Sequence, residues 1–173
     1  EQGLLGSKYY AENPIYPVKD TVTVINMDGV TNAGLKKDLS VVGFNKSQVQ
    51  AYLKIAAQRQ ERILLEEVNP ARGTFYRSDH FSLAKVGVPA VFARGGTMPL
   101  NEKEAQIDKA MKGFRKLCYH QTCDEISERW SLESAIADIQ IYFETGLLMA
   151  NTDKWPNWHE GTEFKHIRDA TRK

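Results

Sequence analysis

Apolar residues along the chain form short β-branched runs that alternate with stretches of helical spacing. The runs predict strands over residues 21–27, 39–44, 62–67 and 88–93. The stretches predict helices over residues 3–12, from Ser47, over 78–87, over 101–117 and from Ser131. Strands that alternate with helices are typical of an α/β layered domain. The most apolar run, TVTVINM at 21–27, is expected to be a strand buried on both faces of a parallel sheet.

The helical stretches also predict which side chains face inward. After Ser47, predicted to cap its helix, the inward residues are Val49, Tyr52, Leu53 and Ala56. Asn101 and Glu104 resemble a capping box, and the helix that they open points Ile107, Met111 and Phe114 inward. The last long helix carries one apolar stripe made of Leu132, Ala135, Ile136, Ile139, Phe143 and Leu147. The tail from Asn151 is expected to lie across the surface of the domain.

Length and charge narrow the range of functions. The 173 residues suit one domain, 1–173, with a substantial core. The net charge is +1, and its 23 basic residues are interspersed with 22 acidic ones, which argues against a dedicated nucleic-acid surface. No apolar run approaches the roughly 20 residues that span a bilayer.

Two cysteines, Cys118 and Cys123, flank a histidine in CYHQTC. A zinc-finger site would need a second pair of ligands, which the sequence does not offer. A loop disulfide in an oxidising compartment and two free thiols both remain open. We favour the disulfide slightly.

Three titratable residues lie at strand ends or tight loops: Glu1, Asp28 and His120. Two carboxylates and an imidazole form a mixed oxygen and nitrogen ligand set that suits Zn²⁺. Each residue alone has a plainer explanation, since Asp-Gly after a strand is most often a turn and a loop histidine is most often solvated. Residue types and spacing therefore support only an α/β domain with a candidate acidic-plus-histidine site.

The order of four motifs is more specific. EQGLLGS at the start, INMD at 25–28, SDHF with GVPA behind it, and YHQTCDE together resemble the co-catalytic zinc aminopeptidases. That superfamily includes glutamate carboxypeptidase II and the glutaminyl cyclases. The resemblance covers essentially the whole chain. It implies a three-layer αβα sandwich with a mixed, mostly parallel sheet.

The resemblance also implies roles for particular residues. The family's enzymes usually hold two zinc ions, and the matching ligands here are Glu1 for one ion and Asp28 with His120 for the other. Tyr119, directly before His120, matches a tyrosine that hydrogen-bonds the developing oxyanion. Around the SDH segment, Ser78, Arg77 and Tyr76 are expected to orient the substrate cleft. His80 is expected to support loops there, because His120 is the better match to the late ligand.

Three further family residues have no counterpart in the sequence: a glutamate directly before Glu1, which would be the general base, and an upstream His-x-Asp pair. We therefore expect the chain to be the C-terminal part of a longer, N-terminally truncated peptidase. Alone it is expected to bind zinc poorly and to be inactive. The missing strands would leave an exposed sheet edge, through which it would self-associate or hold its missing half.

The leading function is that of a zinc-dependent exopeptidase acting on peptide substrates. Within this class we favour an aminopeptidase. One alternative is a glutaminyl cyclase-like acyltransferase with a single zinc, although Tyr119 stands where the cyclases typically have Trp. The other alternative is a non-catalytic binding module of the same fold. Family resemblance and the cysteine spacing favour export to the periplasm or the extracellular space.

Overall fold

The computed structural model describes residues 3–29, 31–128 and 130–172. The strands are β1 (Val24–Asn26), β2 (Asp38–Val42), β3 (Ile63–Glu66) and β4 (Ala90–Gly95). The α-helices are α1 (Leu5–Glu12), α2 (Val49–Arg59), α3 (His80–Ala84), α4 (Glu102–Cys118), α5 (Leu132–Ala150) and α6 (Lys165–Thr171). The predicted strands and helices are all present, with ends shifted by a few residues.

The four strands form one mixed sheet in the order β1-β4-β2-β3. β1 is parallel to β4, with Val24 opposite Ala90, and β2 is parallel to β3. The two halves join through an antiparallel pair, β2 with β4. Two of the three pairings are therefore parallel, which confirms the predicted mixed, mostly parallel sheet.

Successive side chains of β2 and β4 point to opposite faces, as a pleated strand requires, and each face carries its own core. On one face the sheet packs against α2 and α5 through a cluster that includes Leu39, Val41, Val91 and Ala93. On the other face Val42, Ala90 and Phe92 pack against α3 and an aromatic group from the C-terminal segment. This arrangement of helix, sheet and helix is the expected αβα sandwich.

Strand β1 differs from its prediction. It has three residues, and among the described residues β4 is its only neighbouring strand. Val24 and Ile25 contact the two opposite cores but are only half-buried. The expectation of a fully buried strand was wrong because an edge position leaves one long side of a strand uncovered.

The prediction of which side of α5 faces the core is also wrong. The buried side of α5 consists of Ser134, Ala135, Asp138, Ile141, Tyr142, Thr145 and Met149. Apart from Ala135, the predicted stripe is exposed. Polar side chains could take the buried side because they are paired internally: Arg62 Nη1 donates to Asp138 Oδ1 at 2.7 Å, and Thr145 Oγ1 donates to the Ile141 carbonyl.

Two smaller expectations need correction. In α4 Met111 is buried as predicted, but Ile107 and Phe114 are only half-buried and line open grooves beside residues 123–128 and 130–133. The tail does not simply cross the surface, because Trp158 and Phe164 belong to the aromatic core. Within the described residues, none of the helices is both long and apolar enough to cross a bilayer.

Candidate active site

Asp28 lies two residues beyond the carboxyl end of β1. Asp28 is exposed, and the following Gly29 has φ +75°, a left-handed conformation that glycine adopts at little cost. The carboxyl edge of strands is where α/β proteins gather ligands. Asp28 lies at this edge of the sheet, and its role as a metal ligand stays a prediction.

His120 lies just beyond the carboxyl end of α4. Asn101 caps the start of this helix by accepting a hydrogen bond from the Glu104 N–H at 3.1 Å, while Tyr119 forms its C-cap. His120 has φ +59°, and its backbone N–H donates to Asp124 Oδ2 at 3.3 Å. The Tyr119 and His120 rings stack with centroids 3.9 Å apart, and both side chains are exposed.

A disulfide between Cys118 and Cys123 closes the short loop that carries Tyr119 and His120. This confirms the slightly favoured expectation. The bridge holds both ends of the loop while the two aromatic side chains project from it. A loop restrained in this way limits the positions that an exposed histidine can take.

Contacts connect the segment after Asp28 with the helix before His120. Arg115 Nη2 donates to Asn32 Oδ1 at 3.4 Å, and these residues stand five before His120 and four after Asp28. The buried Lys36 forms an ion pair with Asp108 of α4 at 2.6 Å. Both candidate ligands therefore belong to chain segments that are anchored to each other.

A carboxylate oxygen and an imidazole nitrogen, such as those of Asp28 and His120, are donor types that suit zinc. Among the described residues neither the Asp28 carboxylate nor the His120 imidazole is engaged in a hydrogen bond or ion pair, so both are free to bind an ion. Glu1 lies outside the described residues. In the described part of the chain no three His, Cys, Asp or Glu side chains are close enough to hold a metal. The three-ligand assignment stays a prediction.

The predicted cleft residues are held by contacts within the protein. Ser78 is buried and donates to the Thr74 carbonyl at 3.2 Å. Tyr76 is half-exposed, and its hydroxyl donates to Glu163 at 2.8 Å. Arg77 is exposed and donates to the Arg72 carbonyl. These contacts fix the segment that leads into α3, and the role of these three residues in the substrate cleft stays a prediction.

A buried pair that sequence reasoning did not find joins the INMD and SDH motifs. Asn26 Nδ2 lies 3.3 Å from His80 Nδ1, which ties α3 to the end of β1, two residues before Asp28. His80 is fully buried, and within the described structure its Nε2 has no hydrogen-bond partner. Both residues stand in recognised motifs, but the sequence carries no signal that they pair.

The environment of His80 sets its charge. The rings of Phe75 and Phe92 lie beside it, with centroids 4.6 and 5.5 Å away. Burial lowers the pKa of His80 to about 4, although the negative charge of Asp79 opposes the shift. The imidazole is therefore neutral at pH 7 and supports β1 without adding charge near Asp28.

Fold and site together describe an α/β domain with candidate ligands on loops beyond a strand and a helix. The sequence model of Peptidase family M28 matches residues 1–144, more than half of the chain and a range that includes Glu1, Asp28, Tyr119 and His120. The chain belongs to this family, which is one of zinc-dependent peptidases. No curated protein and no solved structure matches the chain significantly.

Proposed function

We propose that the chain supplies part of the active site of a zinc aminopeptidase. In this proposal Asp28 and His120 hold one zinc ion, and Glu1 holds a second. The supporting observation is that Asp28 and His120 are exposed and uncommitted within the described structure, although their segments are anchored to each other. Bound zinc would polarise the scissile carbonyl and lower the pKa of an attacking water.

Tyr119 is proposed to stabilise the charge that develops on the substrate oxygen. A phenol is a neutral donor at pH 7, and its hydrogen bond strengthens as the oxygen becomes negative. Its ring is stacked on His120, so the hydroxyl is carried by the same restrained loop as the candidate ligand. Tyr76 and Arg77 are proposed to border the substrate cleft. The buried Ser78 is proposed to help orient that cleft through its hydrogen bond to the Thr74 carbonyl.

Tyr119→Phe tests this role in the longer active enzyme that we propose. Loss of the hydroxyl should lower kcat by about 10- to 1000-fold while KM changes little, because the bond forms mainly in the transition state. Tyr9→Phe, an exposed tyrosine on α1, is the matched control and should leave kcat unchanged. An equal loss of kcat in both variants would contradict the proposal.

We propose that residues 1–173 alone hold zinc weakly and do not turn over substrate. Catalytic zinc sites carry three protein ligands, and Asp28 with His120 would give one ion only two. Isothermal titration of the 173-residue chain should give an affinity weaker than about 1 μM. His120→Gln should weaken it further and His159→Gln should not. Sub-micromolar binding with a stoichiometry near two would contradict this proposal.

Substrate preference separates the aminopeptidase from the alternatives. Tyr119 directly before His120 favours the peptidase over a glutaminyl cyclase-like enzyme. Aminoacyl-nitroanilides should be hydrolysed by the longer enzyme, and a peptide with an N-terminal glutamine should not be cyclised. Formation of pyroglutamate would favour the cyclase, while inactivity on both with zinc bound would favour a binding module.

Export to an oxidising compartment is proposed from the disulfide. A bridge between Cys118 and Cys123 persists where thiols are not kept reduced. In the described chain there is no other cysteine, so alkylation of protein taken from its native source should label no thiol. Labelling of two thiols per chain would place it in a reducing compartment.

A further inference from the structure

A groove lies between helix α2 and strand β3. Its volume is about 470 Å³, within the range of about 300–1,000 Å³ that is typical of ligand pockets. Ala51, Lys54 and Gln58 line it from the helix, and Leu64 lines it from the strand. Phe44 and His159 also line it. We name this cavity, defined by these six residues, the α2–β3 groove.

The α2–β3 groove lies at the opposite edge of the sheet from β1. Among the described strands β3 is the outermost on this side, and β4 and β2 separate it from β1. At about 4.8 Å between neighbouring strands, the two edges are about 14 Å apart. The upstream strands that we expect beside β1 would extend the sheet at the other edge and leave β3 accessible.

Strand β3 offers backbone groups at its outer edge. The N–H groups of Ile63 and Glu67 donate to carbonyls on the β2 side, those of Lys37 and Val41, at 3.0 and 3.1 Å. Because backbone groups alternate in direction along a strand, the N–H and C=O of Leu64 point away from β2. An edge strand beside a helix can add an extended peptide as a further strand.

The walls of the groove are held by contacts within the protein. Phe44 and Leu64 are partly buried against the core that packs under α2, so they form an apolar floor. Gln50 and Asn45 exchange two hydrogen bonds, at 2.8 and 3.0 Å, at the start of α2. The His159 N–H donates to the Lys46 carbonyl at 2.9 Å. A ligand would therefore meet a largely preformed surface.

The charge of the groove is one-sided. Its ionisable lining residues are Lys54, Arg62 and His159, and among the described residues no carboxylate lines it. Arg62 is committed to Asp138 at 2.7 Å. Lys54 is exposed, and within the described structure its side chain has no hydrogen bond or ion pair. A free cation beside an apolar floor suits a carboxylate that is attached to apolar side chains.

We propose that the α2–β3 groove binds the carboxyl-terminal residues of an extended peptide. The peptide backbone would pair with Leu64 at the edge of β3, its apolar side chains would pack on Leu64 and Phe44, and its carboxylate would meet Lys54. Glu66 ends β3 and would repel that carboxylate, so the peptide should run antiparallel to β3, with its last residue towards Gln58. This binding site is separate from the proposed zinc site and does not depend on it.

The length of the groove sets the length of the peptide. Gln50 and Gln58 line it from two positions of α2 that are eight residues apart. At 1.5 Å per helical residue this distance is about 12 Å. An extended chain covers about 3.3 Å per residue, so about four residues fit. A single amino acid would leave most of the groove and the backbone groups of Leu64 unused.

Titration of the metal-free 173-residue chain with acetyl-Val-Thr-Val-Leu, followed by NMR, tests the proposal. The acetyl group blocks the amino terminus that an aminopeptidase would recognise. We expect a dissociation constant of about 100–500 μM, with amide shifts concentrated in α2 and β3. The same peptide with a carboxamide end should bind about 5-fold more weakly, as expected for the loss of an exposed ion pair. Acetyl-leucine alone should bind at least about 10-fold more weakly.

Two variants of α2 locate the contacts. Lys54→Gln should bind the acid and the carboxamide equally, whereas Lys8→Gln, which changes an exposed lysine of α1, should keep the difference between them. Ala51→Trp should weaken binding at least about 10-fold, because the new ring would occupy the groove. Both changed residues of α2 are exposed, and circular dichroism checks that the fold is kept.

Several results would overturn the proposal. The absence of saturable shifts up to about 5 mM peptide would do so, as would equal binding of acid and carboxamide by the unaltered chain. Equal binding of acetyl-leucine would refute the pairing with β3. Shifts confined to Tyr119 and His120 would place the peptide at the candidate active site, which would refute this groove while supporting the proposed function.

Discussion

His80 shows how burial alone sets the charge of a side chain in this domain. The rings of Phe75 and Phe92 lie beside the imidazole, and Asn26 Nδ2 lies 3.3 Å from its Nδ1. Protonation would place a cation among apolar rings, and burial therefore lowers its pKa to about 4. The unfolded chain exposes the same imidazole, whose ordinary pKa of 6.5 makes it the better proton acceptor.

His80 should make the protein less stable in acid. Above pH 6.5 both states leave the imidazole neutral, but between 6.5 and 4 mainly the unfolded state binds the proton. Stability therefore falls as the pH is lowered through this window, by about 2 kcal/mol between pH 7.5 and 5. Urea unfolding at both pH values should show this extra loss relative to His80→Gln. Parallel pH profiles for the two proteins would refute the assignment.

The buried carboxylate of Asp38 is held by backbone groups of the segment after β4. It accepts hydrogen bonds from the N–H groups of Thr97 and Met98 at 3.0 and 2.9 Å. This close approach requires glycine at residue 96, because a Cβ there would overlap the carboxylate. Glycine is required at residue 96 because there is no space for a side chain between the backbone and the Asp38 carboxylate.

Gly96→Ala should lower the free energy of unfolding by about 2–4 kcal/mol, because it displaces a buried carboxylate from its donors. Gly113→Ala is the control. Gly113 is within α4, and a Cβ there meets no atom within 4 Å, so the variant should gain about 0.5–1 kcal/mol from helix propensity. Chemical denaturation measures both changes. Equal stabilities would show that the segment moves aside freely.

At the scale of elements, the sequence pattern predicted the four strands and the helices α1 to α5, but it predicted neither α6 nor the side of α5 that is buried. The exposed side of α5 carries more apolar residues than the buried side. The apolar periodicity therefore predicted the wrong side of the helix to be buried. The polar side chains on the buried side are stabilised by partners distant in sequence. The main one is the ion pair between Arg62 and Asp138, which are 76 residues apart. Pairings over such separations depend on the tertiary fold and leave no periodic signal.

At the candidate site, too, the sequence predicted local positions but not long-range contacts. The motifs predicted the positions of Asp28, Tyr119 and His120 at the ends of a strand and a helix, and the structure places them there. The contact of Asn26 with His80 and the contact of Asn32 with Arg115 could not be predicted, because each joins segments far apart in sequence. Local patterns therefore located candidate ligands without showing how their segments are held.

The disulfide at the end of α4 restrains an element that carries candidate site residues. It closes a loop with a sequence separation of five. Replacing both cysteines by serine should cost about 2 kcal/mol of stability in the loop-entropy description of such short rings. Thermal unfolding of the oxidised and double-serine proteins measures this. A protein with unchanged stability would show that contacts such as His120 with Asp124 already order the loop.

For the whole molecule, the C-terminal segment completes the core on the second face of the sheet. Trp158 is fully buried, and its Nε1 donates to the Gly87 carbonyl at 3.0 Å. Arg168 of α6 is also buried and donates to the carbonyls of Val18 and Thr21, before β1. A segment late in the chain therefore holds the turn before β4 and the entry to β1.

The two tryptophans of this segment offer a direct test of its role. Trp158→Ala should cost about 3–5 kcal/mol, because it removes a fully buried ring and leaves a cavity between β4 and α3. Trp155→Ala should cost less than about 1 kcal/mol, since Trp155 is partly exposed and packs mainly on Arg172 at 3.5 Å from its ring centre. Chemical denaturation of both variants distinguishes a structural core segment from a surface tail. Equal, small losses would mean that the second face is stable without the C-terminal segment, whereas a large loss for Trp158 alone would mean that the sheet and its candidate ligands depend on it.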